Sequence, residues 1–188
     1  MSTQVKECCG TSVGVLLFDA SGRLQLIERA TIPAGMAPVA GHALDEHASY
    51  EAAAYTETWE EVGLRVRGLR KLATGGHHPG RCRRRVHPGR TLGHTWELYR
   101  GELTGAPIAS PREVRSLRRA DQAQLQRLAE RTAAHAAGLL TAAEFAADPG
   151  LEPVWCHWLA QPELDLIHLP QRAQERILAL AATPPALV

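Results

Sequence analysis

Residues 41–64, GHALDEHASYEAAAYTETWEEVGL, decide the fold of this 188-residue chain. Their second half predicts one helix that begins after a Ser49 N-cap and runs to Glu61. Serine is a preferred N-cap residue because its hydroxyl accepts a hydrogen bond from a free amide of the first turn. Gly63 stands where a left-handed residue ends many helices. The stretch therefore predicts a helix with a signal at each end.

Three glutamates of this helix, Glu57, Glu60 and Glu61, stand at i, i+3 and i+4, so their carboxylates share one face. The alanines at 52–54 are expected on part of the opposite surface, where small side chains suit close packing on a sheet. Two unit charges about 4 Å apart repel by about 4 kcal/mol at an effective dielectric of about 20. The cluster therefore indicates either a solvated acidic face or a site for a hard divalent cation such as Mg²⁺, which prefers oxygen ligands.

Gly41, Glu57 and the run Glu60-Glu61-Val62-Gly63-Leu64 resemble the Nudix box, Gly-x5-Glu-x7-Arg-Glu-U-x-Glu-Glu-x-Gly-U, in which U is aliphatic. The resemblance covers roughly residues 10–130. It implies an α/β fold, the Nudix-type α/β/α sandwich with a mixed central sheet, here with a C-terminal helical extension. It also implies a divalent-metal hydrolase that cleaves a diphosphate bond in a nucleoside diphosphate derivative or a similar phosphorylated small molecule. Glu57, Glu60 and Glu61 would then be the catalytic residues and the ligands of Mg²⁺ or Mn²⁺.

The chain departs from the box at several positions, among them Thr58, which stands where the family has an aliphatic residue. Thr56 stands where the family has arginine, Ala48 falls at its first glutamate, and the interval from Gly41 to Glu57 is one residue longer than the pattern. These departures favour a second hypothesis, a Nudix-fold protein that binds a phosphorylated ligand or a partner without turnover. Retention of the three downstream glutamates favours the hydrolase.

Further candidates lie outside the helix. Residues 75–90, GGHHPGRCRRRVHPGR, predict a long loop, and guanidinium groups there suit phosphate oxygens, although a solvated basic loop is the plain alternative. Glu113 stands where Nudix chains often carry an additional acidic residue, which makes it a candidate metal ligand against the alternative of an exposed strand-end carboxylate. Glu97 is a second acidic candidate. The predicted substrate contacts are Arg81, Arg83, Arg84, Arg90 and, beside the box glycine, His42.

The same loop raises the question of zinc. Its histidines and cysteine, His77, His78, Cys82 and His87, match no closed tetrahedral spacing, and the other cysteines are remote in sequence. Incidental histidines in a loop are therefore favoured over a zinc site.

The composition of the chain limits the kinds of function that it can have. The formal charge is +1, which argues against binding to a nucleic acid polymer, since that needs a basic surplus. No apolar run approaches the roughly 20 residues of a membrane span, and the N-terminus shows no apolar signal segment, so a cytoplasmic protein with reduced thiols is expected. The expected partner is a small phosphorylated substrate, and the tryptophan-rich tail leaves a homodimer open.

The chain is expected to form one domain over 1–188, with a core at about residues 10–130 and C-terminal helices at about residues 119–188 packed on it. Apolar patterns predict strands at 12–18, a half-buried strand at 23–28, and strands at 64–67, 69–73, 94–103 and near 107–117. Helices are expected at 121–137, from a Thr141 cap to 147, around 151–160, and from Pro170 onward.

Overall fold

The computed structural model describes residues 7–31, 33–80, 82, 84–86 and 93–182. The strands are β1 (Glu7–Cys8), β2 (Thr11–Phe18), β3 (Leu24–Arg29), β4 (Met36–Ala37), β5 (Val39–His42), β6 (Arg70–His78), β7 (Arg85–Val86), β8 (His94–Glu102) and β9 (Val114–Ala120). The helices are α1 (Tyr50–Val62), α2 (Gln122–Ala136), α3 (Ala142–Ala147), α4 (Pro153–Leu159) and α5 (Gln171–Ala182).

The strand β2 is the centre of the main sheet. It pairs in parallel with β8 along its whole length, from Thr11 opposite Thr95 to Phe18 opposite Glu102. On its other side it pairs antiparallel with β5, and β8 pairs antiparallel with β6. Parallel and antiparallel ladders thus meet in one sheet, with α1 packed against β2 and β5. This mixed sheet with flanking helices confirms the expected α/β class.

The strands β3, β4 and β9 form the other side of the main sheet. β3 turns back from β2 after Phe18, pairs with the short β4, and pairs antiparallel with β9. The predicted hairpin turn is confirmed, because Asp19 accepts hydrogen bonds from the amides of Ser21 and Arg23. The expectation of a half-buried strand is wrong, since all four residues from Leu24 to Ile27 are buried. Gln25 can be buried there because its amide donates to two backbone carbonyls.

The helix α1 forms as its end signals predict. The Ser49 hydroxyl accepts a hydrogen bond from the Ala52 amide at 3.1 Å, and Gly63 adopts the left-handed conformation with φ of 65°. Capping satisfies amides that have no partner inside the helix. The helix ends at Val62, one residue beyond the prediction.

The expected division of α1 into an acidic face and an opposite alanine face is wrong. Ala53 and Ala54 are fully buried, and so, within a few per cent, are Glu57 and Glu61. Ala53, Glu57 and Glu61 are spaced by four residues, which places them on one stripe of the helix. The alanines bring the helix close to the sheet, and that close approach buries the two carboxylates.

Three predictions for the chain after α1 need correction. The strand expected near 107–117 is found at Val114–Ala120 as β9, because these are the residues that pair with β3. Residues 64–67 are extended, with Leu64 and Val66 buried and the arginines between them exposed, but they are not part of a strand. Here an extended segment that pairs with no described strand shows alternating burial, because every second side chain packs against the domain. The strand β6 continues through His78, so the first residues of the expected loop at 75–90 belong to the sheet, where they pair with β8.

The C-terminal helices pack on the sheet and on one another. α2 begins with a capping box in which Asp121 and Gln124 exchange hydrogen bonds, and Thr141 caps α3 in the same way. Trp155 of α4 and Ile177 of α5 are buried in the same apolar core as β2. Gly14 in β2 makes room for the Trp155 ring, since a Cβ there would lie 2.5 Å from it. Among the helices of the described ranges, none has the length and apolar character needed to cross a membrane.

Candidate metal and phosphate site

Two of the three predicted glutamates are buried side chains. Glu57 retains 7% and Glu61 5% of its accessible surface, whereas Glu60 is exposed at the edge of the same helix. Burial raises the pKa of Glu57 to about 8, and the charges of Glu60 and Glu113 add to the effect. Burial likewise raises the pKa of Glu61 to about 8, with a further contribution from Glu57. A solvated acidic face is therefore excluded for Glu57 and Glu61.

The backbone of β5 forms the floor under both carboxylates. The Ala40 amide donates a hydrogen bond to Glu61 Oε2 at 3.1 Å. The next residue, Gly41, leaves space for Glu57, because a Cβ at position 41 would lie 1.9 Å from the Glu57 carboxyl carbon. The box glycine of the sequence thus has a direct physical role, since any larger residue would collide with a predicted metal ligand.

Glu113 is held close to this pair by the segment that follows β8. The amides of Ile108 and Ser110 donate to the Val62 and Glu61 carbonyls at 2.8 Å and 3.0 Å, which ties this segment to the C-terminal end of α1. The Glu113 side chain is exposed, and its charge contributes to raising the pKa of both buried glutamates. The structure therefore brings Glu113 near Glu57 and Glu61.

Glu97, the other acidic candidate, has its own partners. Lys71 Nζ lies 2.8 Å from its carboxylate, and the Tyr99 hydroxyl donates to it at 2.7 Å. These bonds hold Glu97 on the surface of β8, where it pairs with Lys71 of β6.

Arg29, at the end of β3, is a residue that sequence reasoning missed. Its positive charge lowers the pKa of Glu61, opposing the effect of burial, and it acts in the same sense on the buried Glu152. Its guanidinium donates to the Pro33 carbonyl at 3.1 Å. Arg29 directly follows the strand predicted at 23–28, but its position near α1 depends on how β3 and α1 meet, which no local signal encodes.

The positions that depart from the box also have defined surroundings. The Thr56 hydroxyl donates to the Ala52 carbonyl of its own helix at 3.0 Å, so it bonds the helix backbone. His47, next to Ala48, has its Nε2 atom 3.9 Å from Glu57 Oε1. An imidazole therefore lies beside Glu57 on the side of the loop that precedes α1.

Of the predicted basic contacts, Arg81, Arg83 and Arg90 lie outside the described residues. Arg84 is described, and its two terminal nitrogens donate to Asp45 and Glu46, each at 2.7 Å. Its charge lowers the pKa of Glu57, which shows that it is near the acidic cluster. In the structure its guanidinium links the segment 84–86 to the turn before α1.

His42 follows Gly41 on β5, and alternate residues of a strand point to opposite faces. Its Nε2 atom lies 3.1 Å from Cys82 Sγ, and its ring packs edge-on against that of His94. Its predicted role as a substrate contact stays a prediction. Of the other residues weighed for zinc, His78 is buried and accepts the Gly80 amide at Nδ1, and His87 lies outside the described residues.

Comparison with known proteins agrees with this architecture. A model of the NUDIX domain matches residues 10–142. The fold is similar to that of the Deinococcus radiodurans protein DR0079, with a TM-score of 0.54, 17% identity, and coverage of 85% of this chain and 86% of that chain. It is also similar to the E. coli dihydroneopterin triphosphate pyrophosphohydrolase, with a TM-score of 0.52, 18% identity, and coverage of 62% and 84% respectively. At such identities the likeness establishes the fold alone. No curated protein sequence matches this chain.

Proposed function

The chain belongs to the NUDIX domain family, whose model matches residues 10–142, and from this premise we propose that it is a Mg²⁺- or Mn²⁺-dependent hydrolase. Its substrate would be a nucleoside diphosphate derivative or a similar small phosphorylated molecule, cleaved at the diphosphate bond. The family membership supports hydrolysis of the Nudix kind, and the residues of the acidic cluster support the metal dependence.

One observation carries the proposal, namely the burial of Glu57 and Glu61 against each other on the floor formed by β5. Two carboxylates that are desolvated together are costly to ionise unless a positive charge compensates them. The positive charges of Arg84 and Arg29 compensate the two carboxylates only in part, because the pKa values of Glu57 and Glu61 stay raised despite them. A divalent cation with oxygen ligands would provide the missing charge.

The residues of this cluster would have distinct tasks. Glu57 and Glu61 would hold the metal from the buried side, and the amide of Ala40 would keep the Glu61 carboxylate oriented toward it. Glu60 and Glu113, which are exposed, would complete the site on the solvent side. The bound metal would polarise the phosphate and activate water for attack on phosphorus. The chain itself would position the diphosphate and neutralise its charge.

The experiment measures the two products of diphosphate cleavage, a nucleoside monophosphate and the phosphorylated second group, over a panel of nucleoside diphosphate derivatives with and without Mg²⁺. Glu61→Gln and Glu60→Gln remove a carboxylate charge with little change in shape, and we expect them to abolish metal-dependent turnover. Glu51→Gln is the matched control, because Glu51 is an exposed glutamate in the first turn of the same helix. Equal losses in all three variants would contradict the assigned roles.

A second candidate function is binding without turnover. It is favoured by Thr56, whose hydroxyl bonds the backbone of α1, so that the box position of arginine offers no charged support to Glu57. A binder of this kind would show a metal-dependent rise in melting temperature with a phosphorylated ligand, because ligands of the native state stabilise it. It would form no nucleoside monophosphate from any member of the panel.

A further inference from the structure

A second cluster of metal-binding side chains lies on the other face of β5, away from the carboxylates. Its four members come from four separate parts of the chain: Cys8 at the end of β1, His42 at the end of β5, Cys82 after β6, and His94 at the start of β8. Their ligand atoms all lie within 4.8 Å of one another. None of these residues belongs to the acidic site.

Two close thiol–imidazole contacts build the cluster. Cys8 Sγ lies 3.1 Å from His94 Nε2, and His42 Nε2 lies 3.1 Å from Cys82 Sγ. The two imidazole rings meet edge to face, with centroids 5.2 Å apart. Each residue therefore directs one ligand atom toward a common centre.

We propose that Cys8, His42, Cys82 and His94 form a structural zinc site. Two thiolates and two imidazoles are a standard ligand set for tetrahedral Zn²⁺, with bonds of about 2.3 Å to sulfur and about 2.0–2.1 Å to nitrogen. Ligand atoms of such a tetrahedron are about 3.3–3.8 Å apart, so the two thiol–imidazole pairs at 3.1 Å would open slightly, and any pair near the upper limit of 4.8 Å would contract. All four positions are filled by protein, which is the mark of a structural rather than a catalytic zinc. On binding, the two thiols release their protons to solvent.

The groups around the ligands suit this role. Ligating histidines usually bond a second group through the other ring nitrogen, which sets the orientation of the ring. His94 does so, since its Nδ1 atom lies 2.5 Å from the Ser12 hydroxyl while Nε2 faces the cluster. Both sulfurs accept a backbone amide hydrogen bond at 3.2 Å, Cys8 from Gly10 and Cys82 from Arg84. Amides directed at sulfur favour the thiolate form that zinc requires.

A buried carboxylate lies next to the cluster. Asp45 Oδ1 is buried and has no hydrogen-bond partner among the described residues, although Oδ2 accepts from Arg84. The Asp45 charge acts on both Cys8 and His94. Buried polar atoms without a partner are rare in folded proteins. Zn²⁺ with two thiolates and two neutral imidazoles has no net charge, so the filled site would add no negative charge beside this carboxylate, whose other oxygen pairs with Arg84.

The sequence-based hypothesis considered Cys82 with the histidines near it in the chain, whereas the ligands proposed here with Cys82 come from distant segments. The site would connect the two-stranded sheet of β1 and β7 to the main sheet, because Cys8 ends β1 and Cys82 precedes β7. It would also hold the segment that carries Arg84, and through it the turn before α1.

The test is the metal content of the untagged protein, expressed with zinc in the medium and dialysed into buffer with excess Mg²⁺, which occupies the acidic site. We expect about one zinc per chain by elemental analysis. Cys8→Ser and Cys82→Ser should each weaken zinc binding by at least about 100-fold, since loss of a group that only hydrogen-bonds a ligand already costs about 10–100-fold. Cys9→Ser is the matched control, because Cys9 neighbours a proposed ligand and instead contacts Thr11. It should retain the zinc.

A second measurement does not depend on variants that must fold. Wild-type protein stripped of metal and loaded with Co²⁺ should show the visible bands of tetrahedral cobalt and a thiolate charge-transfer band, and added Zn²⁺ should remove both. Glu61→Gln should give the same spectrum, so that failure of the hydrolase proposal would leave this result unaffected. Zinc-free wild type without the cobalt spectrum would overturn the proposal. A Cys8–Cys82 disulfide, seen as a loss of two hydrogens in the intact mass of freshly purified protein, would also overturn it.

Discussion

Gly41→Ala tests the acidic site without removing a ligand. The added Cβ would lie 1.9 Å from the Glu57 carboxyl carbon, whereas ordinary contact begins at 3.4 Å. The carboxyl carbon must therefore move by about 1.5 Å, the difference between these distances. A misplacement of about 1 Å at a reacting centre can cost about 100-fold in rate. We expect kcat to fall by about that factor or more.

The stability of this variant should change little. Gly41 has a strand conformation, so alanine meets no left-handed strain there, and the colliding atoms are the far end of a flexible side chain. Replacing glycine by alanine in a compatible conformation stabilises by about 0.4–1 kcal/mol, which offsets part of the cost of moving Glu57. The melting temperature should therefore stay within a few degrees of wild type.

Gly22→Ala is the matched control, since it makes the same change in the turn between β2 and β3. Gly22 has φ of 75° and nothing within 4 Å of an added Cβ. Left-handed strain should cost about 1–2 kcal/mol and lower the melting temperature, with activity unchanged. The assays are steady-state kinetics and thermal unfolding on both variants. A fully active Gly41→Ala, or one that loses activity only because it unfolds, would refute the assigned position of Glu57.

Three further outcomes are expected. The first concerns pH in magnesium-free buffer. The pKa values of Glu57 and Glu61 are raised in the folded state, so between pH 4.5 and about 8 this state binds more protons than the unfolded one. The free energy of unfolding should therefore fall as the pH rises through this range to about 8. Thermal unfolding should show this slope in wild type, and replacing both residues by glutamine should flatten it. Ser49→Ala should cost about 1 kcal/mol in urea unfolding by removing the α1 cap, and an unchanged midpoint would contradict the capping role. Gly14→Ala should cost about 1–3 kcal/mol by forcing Trp155 aside, with a change in tryptophan fluorescence; an unperturbed spectrum and stability would show that the core has room.

Features encoded by neighbouring residues were predictable. The caps of α1, α2 and α3 follow from Ser49, Asp121 and Thr141, whose hydrogen bonds reach only three residues along the chain. The helix residues that form the acidic cluster were predictable, because helical spacing places the three glutamates together. Its burial was not, since Glu57 and Glu61 face the sheet only because the fully buried alanines allow close packing.

Features that depend on distant pairing were missed. β6 continues through a glycine- and histidine-rich stretch of low strand propensity because β8 pairs with it as far as His78. Conversely, residues 64–67 have a strand pattern and pair with no strand of the described chain. The thiol–imidazole cluster joins Cys8 and His94 across 86 positions. Spacing rules for zinc sites apply to ligands within one short motif, so they cannot identify four ligands that come from four distant segments.

The floor of the acidic site has a consequence for how the protein tolerates mutation. The Ala40 amide donates a hydrogen bond to Glu61, whereas Gly41, which has no side chain, leaves room for Glu57. In a library covering both positions, position 40 should accept residues of varied chemistry that fit its half-buried surroundings, with proline as the exception because it lacks the amide hydrogen. Position 41 should accept glycine alone. Adjacent residues of one short strand would therefore show opposite patterns of selection, and both patterns would originate in the backbone rather than in side-chain chemistry.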